Sequence, residues 1–496
     1  MFFYCEDLMK IRHVDIAVIG AGTAGLSAYR EARNYTDNLV LIEGGAYGTT
    51  CARVGCMPSK LLIAAADHAH HASQNGVFGV DYPTLFINGQ AVLKRIRYER
   101  DRFVGSVVEA IDEFPIQHKI KAQAKFISTR ELELTGADGS VSQVRAERIV
   151  IATGSISVIP DFLQGVGGRL LTSDDLFELD NLPKSVAIFG AGVIGLELGQ
   201  ALSRLGVKVA VFGKNGELTF IKDPAISEYA DAEFNREFCL DLNAFINIVR
   251  TEKDSVIVEY RHREKGMVEE AFDYVLAATG RRPNIDTLAL ENADIELDHR
   301  GIPFHDRYTG QCGSSSIYIA GDVSNDIPLL HEAADEGRIA GGNAGRSLRN
   351  PEDIRAGLRR TPLSIVFTDP QIASVGQNLE EIRKNCGNCY AIGEVSFENQ
   401  GRARVMNKNR GLLRVYGEKG TGLLLGAEMF GPAAEHIAHQ LAWVIQMRMT
   451  VSQILELPFY HPVLEEGMRT ALRDLNHKLH KTARMPDACL DCGPGA

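Results

Sequence analysis

Two stretches of the chain carry the same pattern of apolar and polar positions. DIAVIGAGTAG (15–25) and SVAIFGAGVIG (185–195) each open on a short apolar run rich in β-branched residues, pass through Gly-x-Gly-x-x-Gly, and continue at helical spacing. The pattern predicts a strand, a tight turn and a helix, the first βα turn of a dinucleotide-binding unit. Gly20 and Gly190 permit the bend, Gly22 and Gly192 let the backbone approach a pyrophosphate, and Gly25 and Gly195 allow close helix packing. One such turn is weak evidence, but two in register imply two nucleotides. Each copy later reaches an apolar strand ending in Ala-Thr-Gly, at Gly154 and at Gly280, where small residues let the chain cross close to a bound nucleotide. IYIAGDV (317–323) then reads as a late strand returning to the first unit, with Asp322 offering a carboxylate to a cofactor hydroxyl.

From about residue 354 the texture changes. Residues 361–376, 411–417 and 422–431 read as antiparallel strands, and 436–449 and 463–479 as amphipathic helices. This is an α+β domain without a glycine fingerprint, better suited to an interface than to a cofactor.

Composition narrows the classes. The 496 residues give room for three or four domains, and 45% hydrophobic with 24% charged residues is ordinary for a soluble globular chain. A formal charge of -11 argues against a nucleic-acid surface. There is no apolar run near 18 residues, and Glu6 and Asp7 stand where a signal peptide would be basic, so the expected compartment is the cytoplasm and no membrane span is expected. Nine cysteines, an odd count, fit a reducing compartment with a few thiols in special use.

GTTCARVGCMPSK (48–60) holds the first such pair, Cys51 and Cys56. Five residues of regular helix rise about 7.5 Å, beyond the roughly 6.8 Å reach of a disulfide, so bridging them distorts the helix, with Gly55 supplying the freedom. Strained, accessible disulfides have the higher potentials of catalytic ones. Lys60, four residues after Cys56 on the same helical face, is placed to hold a thiolate and a reduced flavin's charge.

The nucleotide units differ in their ribose residue. Glu43 lies 18 positions past Gly25 and supplies the first unit's carboxylate, whereas the same offset from Gly195 lands on Gly213, followed by Lys214. A missing acid beside a cation favours a 2′-phosphate; Gly195, where NADP-binding units often carry Ala, leans the other way. The balance is a slight preference for NADPH over NADH.

With these residues in order, the chain resembles the FAD-dependent pyridine nucleotide-disulfide oxidoreductases, the group of dihydrolipoamide dehydrogenase, glutathione reductase and mercuric reductase, from about residue 13 to 475. The segment 48–60 resembles the family's redox-active disulfide, GAGVIGLELG its nicotinamide unit, IYIAGDV its flavin segment and FYHPVLEEG its C-terminal catalytic segment. The resemblance implies an α/β chain with two Rossmann-like domains and a C-terminal α+β dimerisation domain. Its parts are a flavin domain in 9–157 and 282–353, a nicotinamide domain in 158–281, a dimerisation domain in 354–480 and a tail in 481–496. By the same resemblance Cys51 is the interchange thiol, Cys56 the thiol facing the flavin, Lys60 the lysine near the flavin and Glu197 its ion-pair partner. His461 is the general base, oriented by Glu466 and delivered to the other subunit of an obligate homodimer. Thr50, Gly154, Asp322 and His331 join Gly20, Gly22, Gly25, Glu43 and Lys60 around FAD, and Lys214 and Gly280 join Gly190, Gly192 and Gly195 around NAD(P)(H).

Dihydrolipoamide dehydrogenases are the most similar members, which implies a small dithiol or disulfide substrate. Several departures pull against that. Arg53 and Thr49 replace a usual Asn and Gly, Gly213 removes the acid expected of an NAD enzyme, and VFTDPQIASVG and KDPAI resemble mercuric reductases, which lack the His that His461 supplies. An NADPH-dependent reductase of another disulfide or a metal ion, a transhydrogenase or diaphorase, and a subunit docked on a 2-oxo acid dehydrogenase complex are the competing readings. Cys489 and Cys492 in the tail resemble the C-terminal thiol pair by which some family members relay electrons or metal to the inner cysteines, and whether they do so here is left open by the sequence. Cys386 and Cys389 form a further CxxC, about a hundred residues away and outside zinc-site spacing, so no metal site is expected.

Overall fold

The computed structural model describes residues 11–80 and 84–480. They form two compact units: the chain up to Pro58 with Arg97–Val158 and Gly280–Arg359, and Ser59–Ile96 with Ile159–Thr279 and the chain from Arg360.

In the first unit, strand Ile11–Ile19 pairs in parallel with Leu39–Ile42 on one side and with Val141–Ile151 on the other. The long strand Val141–Ile151 has two further partners. Its first half accepts the antiparallel Glu131–Thr135, and its last residues, Ile149 to Ile151, accept the parallel Ile317–Ile319, the predicted returning strand. Side chains alternate between two buried faces, as a sheet covered on both sides requires. Ile16, Val18, Leu39, Leu41 and Val150 face one core; Ala17, Ile19, Val40, Ile42 and Ile149 face the other. Helix Leu330–Arg349 packs on helix Thr23–Ala32 at backbone contact, since a Cβ at Gly337 or Gly341 would collide with the carbonyl of Ala24 or Ala28. That closeness explains the glycines and alanines of HEAADEGRIAGGNAG.

The second unit contains two sheets of different character. Strands Cys239–Asp241, Lys208–Phe212, Ser185–Phe189, Tyr274–Ala277 and Leu170–Leu171 form a parallel sheet in that order. One face of this sheet packs with an antiparallel ribbon, Ile246–Glu252, Ser255–His262 and Gly266–Phe272, through Phe189, Phe212, Val258 and Tyr260. The other face packs with helices Val193–Arg204, Pro224–Phe234 and Cys56–Gln74. The C-terminal region is a five-stranded antiparallel sheet, ordered Leu363–Val366, Gln371–Gly376, Leu424–Gly431, Leu412–Glu418 and Tyr390–Ser396, with helices Ala434–Gln446 and Glu466–His480 packed on it. The strands expected in 361–376, 411–417 and 422–431 are therefore present, and the helix expected over 436–449 ends at Gln446.

Candidate active site

The two glycine turns are the same object at atomic detail. Gly20 and Gly190 have φ of +103° and +118°, a region costly for any side chain, and a Cβ on either would strike the carbonyl of Ala152 or Ala278, at the Ala-Thr-Gly strand end. Gly25 and Gly195 pack on the carbonyls of Gly20 and Gly190, and Gly22 and Gly192 face open space. The helices that follow, Thr23–Ala32 and Val193–Arg204, begin at Gly22 and Gly192 with no side-chain cap, so their first N–H groups are left for an anion.

The first unit fits a flavin nucleotide. Thr153 Oγ1, between Ala152 and Gly154 at the turn, is buried without a hydrogen-bond partner, a hydroxyl placed for a ligand. Glu43 accepts the backbone N–H groups of Ala21 at 2.7 Å and Gly45 at 2.6 Å, one on each oxygen, and keeps lone pairs for ribose hydroxyls. Asp322 accepts the Ser155 hydroxyl at 2.7 Å just after the returning strand. Gly154 adopts φ +69°, and His331 is half-exposed with Nε2 3.9 Å from Glu332.

The redox segment departs from one assumption of the spacing argument. Cys51 and Cys56 do not share a continuous helix: Thr50–Arg53 is a single turn, Val54 and Gly55 break it, and Cys56 opens the helix Cys56–Gln74. The distortion expected of a bridged pair is therefore built into the backbone at Gly55. Thr49 sits at φ +56°, an outlier for a β-branched residue, and its hydroxyl caps the turn by accepting Ala52 N–H at 3.3 Å. Cys51 is half-buried and Cys56 exposed.

In the second unit Lys60 Nζ donates to both oxygens of Glu197, at 3.0 and 2.8 Å. Glu197 is 3% exposed, and its Oε1 also accepts the Phe367 N–H at 3.0 Å, while the Phe367 ring lies 4.6 Å from Nζ. The carboxylate is thus fully engaged, as a buried charge requires. Behind it, Gln200 accepts Asp369 N–H at 2.8 Å and Arg204 donates to the Asp369 carbonyl at 2.8 Å, clamping the segment that carries Phe367. Sequence reasoning missed Phe367, although it noted VFTDPQIASVG; a main-chain donor leaves no side-chain signal.

His461 Nδ1 lies 2.9 Å from Glu466 Oε1, and Glu466 is 4% exposed with Oε2 accepting the Val463 N–H at 3.1 Å. A carboxylate partner favours Nδ1 as the donor and leaves Nε2 as a proton acceptor. The His461 side chain is 52% exposed in one chain. Beside it an apolar groove holds Trp443, Leu457 and Tyr460, all exposed.

At the second ribose position Gly213 is buried: a Cβ there would meet Ala191 Cβ and Leu242 Cα at 3.0 Å. The position lacks an acid, and a side chain there would need its neighbours to give by a few tenths of an ångström. Lys214 is exposed, and Gly280 adopts φ +112°. Cys386 and Cys389 are joined by a disulfide, and Cys489 and Cys492 lie outside the described residues.

Two dinucleotide cradles, a cysteine pair and a carboxylate-oriented imidazole in one chain define a two-nucleotide redox enzyme. Residues 14–337 match the model of the pyridine nucleotide-disulphide oxidoreductases, and 363–472 match the dimerisation domain of that family. The chain is 31% identical to a dihydrolipoyl dehydrogenase of Chlamydia pneumoniae, over 94% of this chain and 98% of that protein. It is also 31% identical to a mercuric reductase of Shigella flexneri, over 93% and 80% respectively. In fold it is similar to the HOCl-induced flavoprotein disulfide reductase RclA from Escherichia coli in its Cu(II) complex, with TM-score 0.77, 24% identity, and coverage of 94% and 99%. The chain belongs to the pyridine nucleotide-disulphide oxidoreductase family. FAD and a nicotinamide nucleotide are the cofactors the family implies, and the dimerisation domain supports a homodimer. Among the described residues no helix is long and apolar enough to cross a membrane.

Proposed function

We propose that the protein oxidises a small dithiol, dihydrolipoamide being the best match, with NAD(P) as final acceptor, and that it runs in reverse as a disulfide reductase. The observation that carries this reading is the His461–Glu466 pair, because proton transfer to and from a substrate thiol is the one step that needs it. FAD, when bound, supplies two-electron transfer between thiols and nicotinamide. Its holders are the turn at Gly20–Gly25, Glu43, Thr50, Gly154, Asp322 and His331. The turn at Gly190–Gly195 holds the nicotinamide nucleotide, with Lys214 and Gly280.

His461 Nε2 takes the proton of one substrate thiol, and Glu466 balances the imidazolium. The substrate thiolate attacks Cys51 Sγ, the Cys51–Cys56 bond breaks, and Cys56 leaves as the thiolate that Lys60, balanced by Glu197, helps to hold. Cys51 then leaves with the electron pair and takes the proton from His461, while the second substrate thiol gives its proton to the freed His461 Nε2 and its sulfur attacks the first substrate sulfur, closing the substrate disulfide. His461→Gln is expected to lower kcat for dihydrolipoamide oxidation by roughly 10²- to 10⁴-fold. Steady-state turnover of the FAD-loaded dimer measures it, and a loss of only a few-fold would remove His461 as the base.

A second reading, NADPH-linked reduction of a disulfide, is favoured by Gly213. No carboxylate stands there, and one would need Ala191 and Leu242 to give slightly, whereas the exposed Lys214 is positioned in sequence to meet a 2′-phosphate. Lys214→Ala is expected to lower kcat/KM for NADPH about tenfold with NADH changed less than about twofold, as loss of one charge-assisted contact predicts. An equal effect on both nucleotides would place Lys214 away from the phosphate. Comparing dihydrolipoamide plus NAD or NADP with NADPH or NADH plus lipoamide, oxidised glutathione or Hg(II) decides substrate and direction together.

A further inference from the structure

One pair of thiols has no part in this chemistry. Cys386 ends the helix Leu379–Cys386, and Cys389 immediately precedes the edge strand Tyr390–Ser396. The two are bridged, with Cα atoms 5.5 Å apart. We propose that Cys386–Cys389 is a second thiol–disulfide exchange site, on the surface of the C-terminal domain, that takes small dithiols as reductant and works independently of Cys51 and Cys56.

The bridge is a poor staple. It encloses only Gly387 and Asn388, so it removes little loop entropy from the unfolded chain. The turn is already held without sulfur: Gly387 N–H donates to Arg383 O at 3.0 Å, Cys389 N–H to Cys386 O at 3.2 Å, and Lys419 N–H to Cys389 O at 2.7 Å. Lys419 Nζ adds a bond to Asn388 O at 3.0 Å. Opening the bridge therefore leaves the turn standing, as a reversible site requires.

Access and charge point the same way. Gly387 and Asn388 are exposed and both cysteines half-buried, with exposed Lys384 and Lys419 on either side. The two sulfurs are not equivalent. Cys386 sits at the negative end of its helix and packs beside Leu379, Ile382 and Tyr416, which disfavours a thiolate there. Cys389, past the helix end and away from that dipole, is the better leaving group.

One thiolate of the dithiol attacks Cys386 Sγ, the S–S bond breaks, and Cys389 leaves with the electron pair and takes a proton. The dithiol's second thiol loses its proton and attacks the mixed disulfide, closing a cyclic disulfide and releasing Cys386, which is protonated. Two electrons and two protons pass from the dithiol to the protein.

Differential alkylation of the full-length, FAD-loaded dimer tests this, with dihydrolipoamide as probe and peptide mapping as readout. Without reductant both cysteines are expected to be protected. They become labelled together, from about one-tenth to about nine-tenths, over roughly a hundredfold change in the dihydrolipoamide-to-lipoamide ratio. Full labelling before reductant, or a bridge that survives a large dihydrolipoamide excess, would overturn the site. In Cys51→Ser the pair is expected to be reduced by dihydrolipoamide as in the wild type; its failure to respond would mean that electrons arrive through the flavin and end the claim of independence. The peptide carrying Cys51 and Cys56 in the same wild-type digest reports on the proposed function separately.

Discussion

Cys56→Ser is expected to lower dithiol–disulfide turnover by about a thousandfold or more, while NAD(P)H oxidation by a quinone or ferricyanide stays within about fivefold of the wild type. A serine hydroxyl cannot form the disulfide that accepts the substrate's electrons, nor leave as a stable anion at neutral pH. Hydride exchange between nicotinamide and flavin needs no sulfur, and Gly190, Gly192 and Gly195 follow strand Ser185–Phe189, whereas the redox segment is helical. Stopped-flow reduction by nicotinamide nucleotide and steady-state assays with lipoamide separate the halves. Retention of full disulfide activity would take Cys56 out of the pathway; a wild type with no disulfide activity, whose nicotinamide-linked turnover Cys56→Ser left intact, would restore the transhydrogenase or diaphorase reading.

Lys60→Met is expected to cost stability as well as activity. It leaves the Glu197 carboxylate, 3% exposed, with only the Phe367 N–H from among the contacts described above. Breaking a buried pair typically costs about 3–5 kcal/mol. The Lys60 side chain is 32% exposed, so water screens part of this and about 2–3 kcal/mol is expected. Adding Glu197→Gln removes the stranded charge, and the double variant is expected to regain most of that stability while remaining poorly active. Denaturant unfolding of the FAD-loaded dimer gives the first quantity and turnover the second. If the single variant were as stable as the wild type, Glu197 would have to find another cation; if the double variant regained activity, the ammonium would have no role in the chemistry.

Much of this site was legible in the chain because its parts are local. The turn at Gly20 and the turn at Gly190 each need three glycines at fixed spacing, and a Cβ at Gly25 or Gly195 would collide with Gly20 or Gly190 of the same βα unit, although a Cβ at Gly20 or Gly190 would strike the distant Ala152 or Ala278. Glu466 reaches His461 across only five positions, so the pair is visible as a spacing. Other parts were hidden for physical reasons. Thr153 is a common residue in a common strand ending, and only its buried, unpaired hydroxyl sets it apart. The absence of a carboxylate at Gly213 was readable, but the close approach of Ala191 and Leu242 to that position was not.

The sequence by itself determined the two glycine turns, the close spacing of Cys51 and Cys56 and that of His461 and Glu466, because each is a short-range pattern imposed by backbone sterics or by hydrogen-bond reach. Tertiary structure alone decided how Glu197 is held: its lysine lies 137 positions away and its backbone donor 170. It also decided that Val54 and Gly55 part the two cysteines onto different helical turns, and that Cys386 and Cys389 are bridged. A buried carboxylate must collect every donor it can, and which main-chain N–H reaches it depends on the packing of distant segments that no local pattern encodes.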